Sequence, residues 1–431
     1  MIQKGKQKNS FSIIVIIIIA VAIIAIGYNK DTYQLVAEDV SYYGFVETNA
    51  STAEKLEDFE YLYKILEKNY PFFNVNKRLN NIDWLKNKKK YEKLIRNTEN
   101  DAEFFVAIHL ILSDLNNDHA SILSGDSFKW FYNFYHEIFY QYNALDKLQF
   151  FEALTNPNVI SRYKVNNINN VENKVLNDKD NLETKILKKD EVAYMKIKYM
   201  ASSTVFENDH VKIREFLKET ESYEKLIIDI RGNRGGMDKY WEDIVQLLIH
   251  EPLVAKYYSF FKDGDREEND PFRVSRISPT TTLDKKILNT FPQEVIDGFD
   301  FYNNYSIRIN PWSISEDLSE QIKFKGKIYL LVDSNVFSSA EKFASFAKDT
   351  GFATLVGETT GGDRVFEDIP IFHLPNTNFV IRYPRELSMN IDGTINMETK
   401  TIPHIKVDST YNEDLSKDEC IRAVIKDNIN Q

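Results

Sequence analysis

The chain has 431 residues and a formal net charge of −11, from 54 Lys and Arg against 65 Asp and Glu. That acidic balance argues against a nucleic-acid partner, which needs basic patches, and the length allows one large core or two to three domains. Cys420 is the single cysteine, which excludes an internal disulfide; the seven histidines are scattered without H-E-x-x-H or paired-ligand spacing, so no metal and no other cofactor is implied.

Lys4, Lys6 and Lys8 precede an apolar run from Ile13 to Ile26. With its flanks the run approaches the ~17–25 residues that span a bilayer. A basic flank stays in the cytoplasm, so the remainder is expected on the far side. A cleaved signal peptide is the alternative. The small-residue triplet Ala20-Val21-Ala22 lies inside the run, not after it, which favours an uncleaved anchor over residues 1–29.

Leu56, Phe59, Tyr63, Leu66 and Tyr70 recur at helical spacing, and Pro71 ends that helix. A very basic helix is expected over Ile82–Ile95. A third starts at Asp101 and ends in the turn Asn116-Asn117-Asp118-His119. Residues 30–125 thus read as a helical bundle ending in a His119 loop. Residues 126–190 are a connecting segment of unclear structure, aromatic at first and then rich in Asn, Asp and Lys. From Val192 strands and helices alternate: strands at 192–197, 226–230, 328–332 and 353–356, helices at 211–217, 240–249 and 340–347. Alternation of this kind predicts an α/β core over 191–410. An insertion occupies 252–322, late strands fall at 379–383 and 402–407, and 411–431 is a C-terminal tail.

The most informative stretch is Phe337-Ser338-Ser339-Ala340-Glu341, between an apolar strand and a helix. A serine there meets free backbone N–H groups and the positive end of the helix dipole. A nucleophile and its oxyanion hole need that arrangement. The competing reading is a capping box, Ser338 with Glu341 three residues on. Asp229-Ile230-Arg231-Gly232-Asn233-Arg234-Gly235-Gly236 runs from a buried strand into a glycine-rich loop. It lacks the Gly-Lys-Ser/Thr end of a phosphate loop, leaving a tight turn or an anion-stabilising loop. Leu355 to Gly362 is another strand-to-glycine turn. His119 follows a polar turn, where exposure or a cleft edge is expected. Glu398 precedes a late strand.

Taken in order, Leu226–Gly236, Ile328–Glu341 and Thr354–Gly362 resemble the core of the S41 serine peptidases, the C-terminal-processing and tricorn-core family. The bundle ending in Asp118-His119 resembles the segment ahead of that core in the tricorn-like branch. The resemblance implies a ClpP/crotonase-like α/β core, preceded here by a small helical bundle and an N-terminal transmembrane helix. It also implies Ser338 as nucleophile, with Ser339 and Gly235, or Gly236, supplying the oxyanion N–H groups. One branch of the family uses a Ser–Lys pair, but no lysine occurs between Lys348 and Lys400, and the turn reads Gly361-Gly362-Asp363-Arg364. Arginine cannot serve, because it keeps its proton. The tricorn-like branch uses histidine and a late glutamate, and His119 and Glu398 stand at those places. Asp118 occupies the position where that branch has a small or hydroxyl residue, so either carboxylate could orient His119. No carboxylate-binding loop of a PDZ domain is found in 126–190.

The expected protein is an extracytoplasmic, membrane-anchored serine endopeptidase acting on peptides or unfolded proteins, its oligomeric state open. The alternative is a catalytically inactive S41-like surface protein that binds a peptide or ligand.

Overall fold

The computed structural model describes residues 44–141, 152–165, 181–262, 291–311, 322, 324–366 and 369–427. The expected anchor over 1–29 and parts of the segments 126–190 and 252–322 lie outside these residues. Among the described residues no helix is long and apolar enough to cross a membrane.

In chain order the main elements are α1 (Thr52–Asn69), α2 (Phe73–Asn80), α3 (Lys88–Arg96), α4 (Asp101–Ser113), β1 (Ser121–Ile122), α5 (Gly125–Gln141), α6 (Pro157–Arg162), β2 (Leu182–Lys188), β3 (Val192–Ile197), α7 (Ser203–Glu219), β4 (Lys225–Asp229), α8 (Asp238–Leu248), β5 (Leu253–Phe261) and β6 (Phe301–Ile309). There follow β7 (Lys327–Val332), α9 (Ser339–Thr350), β8 (Thr354–Gly357), β9 (Ile371–His373), β10 (Val380–Arg382), β11 (Glu386–Met389), α10 (Asn396–Thr399), β12 (Ile405–Lys406) and α11 (Glu419–Lys426). Two compact units divide the chain. Unit 1 is drawn from Met1–Val171, Phe261–Pro279 and Glu367–Arg385; unit 2 takes Glu172–Phe260, Thr280–Phe366 and Glu386–Gln431.

Unit 1 is a helical bundle with a small sheet. A capping box opens α1: Glu54 N–H donates to Ser51 Oγ while Glu54 Oε2 accepts the Ser51 N–H. Phe59, Leu62, Tyr63 and Leu66 form its buried stripe. Asn100 caps α4, accepting the Glu103 N–H at 2.8 Å. The basic helix is shorter than its charge pattern predicts, because residues 85–87 form a 3₁₀ turn ahead of Lys88. Buried Asp101 accepts from Thr48 and pairs with buried Arg162 at 2.7 Å. β1, β10 and β9 form an antiparallel sheet, Ser121 opposite Arg382 and Ile381 opposite Phe372. Asp58 fixes its hairpin turn through the N–H groups of Asn376 and Thr377, each at 2.8 Å. The late strand expected at 379–383 is β10, which completes the sheet of unit 1.

Unit 2 holds the α/β core, a six-stranded sheet in the order β12-β8-β7-β4-β3-β2, all parallel except the β2–β3 hairpin. Parallel strands need crossovers that cover the faces. Ala193, Met195, Leu226, Ile228, Leu330, Val332 and Leu355 pack with Trp241 and Ile244 of α8 and Phe343 and Phe346 of α9. The alternate residues Val192, Tyr194, Ile227, Tyr329, Leu331 and Val356 pack with Cys420, Ile421 and Val424 of α11. Burial pushes the Cys420 thiol up to about 12, so it stays a packing group. The expected C-terminal tail is therefore a structural helix. Asp418 caps α11 and pairs with Arg231 at 2.9 Å, and Arg231 holds Asp229 at 2.7 Å. Lys225 Nζ closes the other end, donating to the carbonyls of Val424 and Asp427. Two strands of the expected insertion, β5 and β6, join β11 in a second three-stranded sheet.

Candidate active site

Three loops leave the C-terminal ends of adjacent parallel strands: 230–237 after β4, 333–338 after β7 and 358–364 after β8. In an open parallel sheet that edge is where ligands bind. Backbone hydrogen bonds lace the loops together. The Phe337 N–H donates to the Asn233 carbonyl at 3.3 Å, and the Gly361 N–H to the Val336 carbonyl at 2.8 Å. Phe337 and Gly362 form a parallel bridge.

Ser338 stands at the N-cap of α9 with φ 57° and ψ −122°, a conformation L-residues seldom adopt. Strain of this kind costs about 1–3 kcal/mol and persists only where surroundings impose it. Its side chain makes no capping hydrogen bond, which overturns the capping-box reading. Glu341 turns away from the cap into a buried polar cluster. Its Oε1 accepts Asn396 Nδ2 at 2.8 Å and Thr401 Oγ1 at 2.7 Å. Burial raises the Glu341 pKa, and hydrogen bonds from Thr360, Thr401 and Asn396 oppose the rise.

Gly235, at φ +96°, lies against this turn: a Cβ there would stand 2.8 Å from Ser339 N and 3.0 Å from Ser338 Cβ. Its N–H donates to Oδ1 of fully buried Asn233 at 2.9 Å, so this expected oxyanion donor is engaged inside the loop. The Gly235 carbonyl accepts the Met200 N–H and the Met200 carbonyl accepts the Met237 N–H, both at 2.9 Å. Alternation along such a bridge turns the Gly236 N–H to the side away from Met200. The first half of this motif serves another purpose, since Asp229 and Arg231 anchor α11.

Glu398 lies half-buried on α10. That helix packs on the third loop: a Cβ on Gly362 would meet Lys400 Cγ at 3.1 Å and the Asn396 carbonyl at 3.3 Å. Unit 2 thus brings Ser338, Ser339, Gly235, Gly236 and the Glu398 helix to one end of its sheet.

His119 and Asp118 belong to unit 1. His119 is 1% exposed, which removes full exposure from its two expected placements, whereas Asp118 is exposed. The cause is local. The His119 N–H donates to Asn117 Oδ1 at 2.8 Å and the Ala120 N–H to the Asn117 carbonyl at 2.9 Å. This turn folds the chain inward as it enters β1. In unit 2 Asn396 and Thr401 went unnoticed in the sequence, and Asn233 and Glu341, like Asn117 in unit 1, stood inside motifs without a structural role assigned to them. Only the placement of Asn233 and Asn117 within turns could have marked them.

Comparison with known proteins bears on this arrangement. The family described as "Peptidase family S41" matches residues 191–407, half of the chain, and "Tricorn protease C1 domain" matches residues 51–112. No curated protein sequence matches. Among solved structures, a "putative peptidase" from Parabacteroides merdae is similar with a TM-score of 0.54 at 18% identity, over 88% of this chain and 96% of that one. Mature CPAF complexed with lactacystin is similar with a TM-score of 0.50 at 14% identity, over 83% of this chain and 94% of that one. At such identities the likeness is one of fold.

Proposed function

The chain belongs to peptidase family S41 and is a serine peptidase; from that premise we propose that it cuts peptide bonds through an acyl-enzyme on Ser338, with His119 as general acid and base. The observation that carries this is the Ser338 backbone, held at φ 57° on a helix N-terminus without a capping bond.

His119 takes the Ser338 Oγ proton as the oxygen attacks the scissile carbonyl. The oxyanion that forms accepts N–H bonds from Ser339 and from the glycine loop, with Gly236 in place of Gly235, whose N–H Asn233 holds. The tetrahedral species collapses, the C–N bond breaks, and His119 returns the proton to the leaving amine. Water then enters and gives a proton to His119 as its oxygen adds to the acyl carbonyl; the ester C–Oγ bond breaks, the peptide acid leaves, and His119 returns the proton to Ser338 Oγ. Glu398 is the carboxylate assigned to orient His119. Asp118 adjoins His119 in the chain, but its carboxylate is exposed, and an exposed charge contributes little. The apolar run Ile13–Ile26, with Lys4, Lys6 and Lys8 ahead of it, supports a cytoplasmic N-terminus, a single membrane span and an exported catalytic part.

The experiment is fluorophosphonate labelling of the full chain beside Ser338→Ala and His119→Ala. Labelling in the wild type that disappears in both variants is expected. A folded wild type that takes no label points instead to a peptide-binding protein on the same fold.

A further inference from the structure

Glu341 is fully buried on the first turn of α9, three residues after Ser338. Both donors to its Oε1, Asn396 and Thr401, belong to the segment that carries Glu398. Asn396 opens α10 and Thr401 follows its last residue by two, so together they bracket Glu398. Thr401 is tied again by its N–H to Thr360 Oγ1 at 2.8 Å, and its carbonyl accepts the Thr360 N–H at 3.1 Å. Asn396 Oδ1 accepts the Arg364 N–H at 2.9 Å.

A helix of four residues cannot hold its own shape in water. The α10 turn keeps its place through such outside bonds, and one carboxylate oxygen supplies a bond to each end. An apolar side chain would fill the same volume at lower desolvation cost. What it could not do is fix two separated points of backbone at a set distance from the Ser338 helix.

We propose that Glu341 is a positioning residue: through Asn396 and Thr401 it sets where Glu398 stands relative to Ser338. The proposal rests on the assignment of Ser338 and Glu398 above. Glu341 itself touches no substrate; it acts through the segment it holds.

The test is a double-mutant cycle read as the rate of fluorophosphonate labelling of the full chain, with wild type, Glu341→Ala, Glu341→Gln, Glu398→Gln and Glu341→Ala/Glu398→Gln. Glu341→Ala slows labelling about 10-fold in the wild-type background and less than about 2-fold once Glu398 is already Gln, as coupled residues do. Glu341→Gln retains most of the rate, because one amide oxygen can accept both donors. Equal slowing by Glu341→Ala in both backgrounds overturns the proposal alone. A wild type that does not label, or a Glu398→Gln variant at wild-type rate, removes the assignment and the proposal with it. If Glu341→Ala fails to fold, Thr401→Val, which deletes one of the two donors, runs the same cycle with the same expectations.

Discussion

Gly235 stands so close to the Ser338 turn that a Cβ on it would lie 3.0 Å from Ser338 Cβ and 2.9 Å from the Phe337 carbonyl oxygen. Two motifs separated by a hundred residues of sequence are thereby packed backbone against backbone, and only glycine permits it.

Gly235→Ala must therefore move the Ser338 turn. We expect labelling to fall at least ~100-fold, the scale of a displaced catalytic group, with a lower melting temperature. Gly232→Ala is the control: at φ +81° it meets the same backbone objection, but nothing lies within 4 Å of its Cβ. Equal losses in the two variants would show that conformation, not crowding, sets the requirement at Gly235.

Strain at Ser338 leads to a stability prediction. Ser338→Ala removes the hydroxyl and keeps the φ of 57°, whereas Ser338→Gly removes both the hydroxyl and the strain. Relief of about 1–3 kcal/mol exceeds the ~0.4–1 kcal/mol that glycine gives up through the unfolded chain. Both variants should be inactive, with Ser338→Gly about 1 kcal/mol the more stable. Denaturant midpoints compare them directly; a less stable glycine variant means the turn is not strained.

His404 predicts a pH dependence. Its Nδ1 accepts the Leu355 N–H at 2.9 Å and its own N–H returns to the Leu355 carbonyl at 3.0 Å, beside the β8–β12 pairing. Burial, followed by the charges of Lys348 and Lys327, lowers its pKa below 6.5. Since the folded protein binds this proton less readily than the unfolded chain, the contribution is complete above pH 6.5 and lost as pH falls through the folded value. His404→Asn should flatten the acid side of a melting-temperature profile below about pH 6.5. An unchanged acid limb would exclude His404 as its source.

Much of unit 2 was legible because its strands are continuous apolar runs, such as Leu226–Ile230 and Ile328–Val332, and both their faces are covered. The loops after them were legible for their glycines and serine. What the sequence hid is pairing at a distance. The short runs 371–373 and 380–382 carry no mark telling which sheet they join, and Ile421 and Val424 give too brief an apolar stripe to separate a core helix from a tail. The pair Ser338 and Glu341 has the spacing of a cap, yet the cap is unmade because the partners of Glu341 lie 55 and 60 residues downstream. His119 read as exposed or at a cleft edge because its neighbours are polar, and its bond to Asn117 is visible only in three dimensions.

β1 leaves the ribosome early, but its partner β10 is not made until residue 382. Throughout the synthesis of β3 to β8, the β1 segment after His119 waits without its partner strand. A nascent chain that stops between Ser338 and this hairpin carries both Ser338 and His119 while β1, just after His119, still lacks its partner strand. On the proposed roles of Ser338 and His119, hydrolytic power then arrives only near the end of translation.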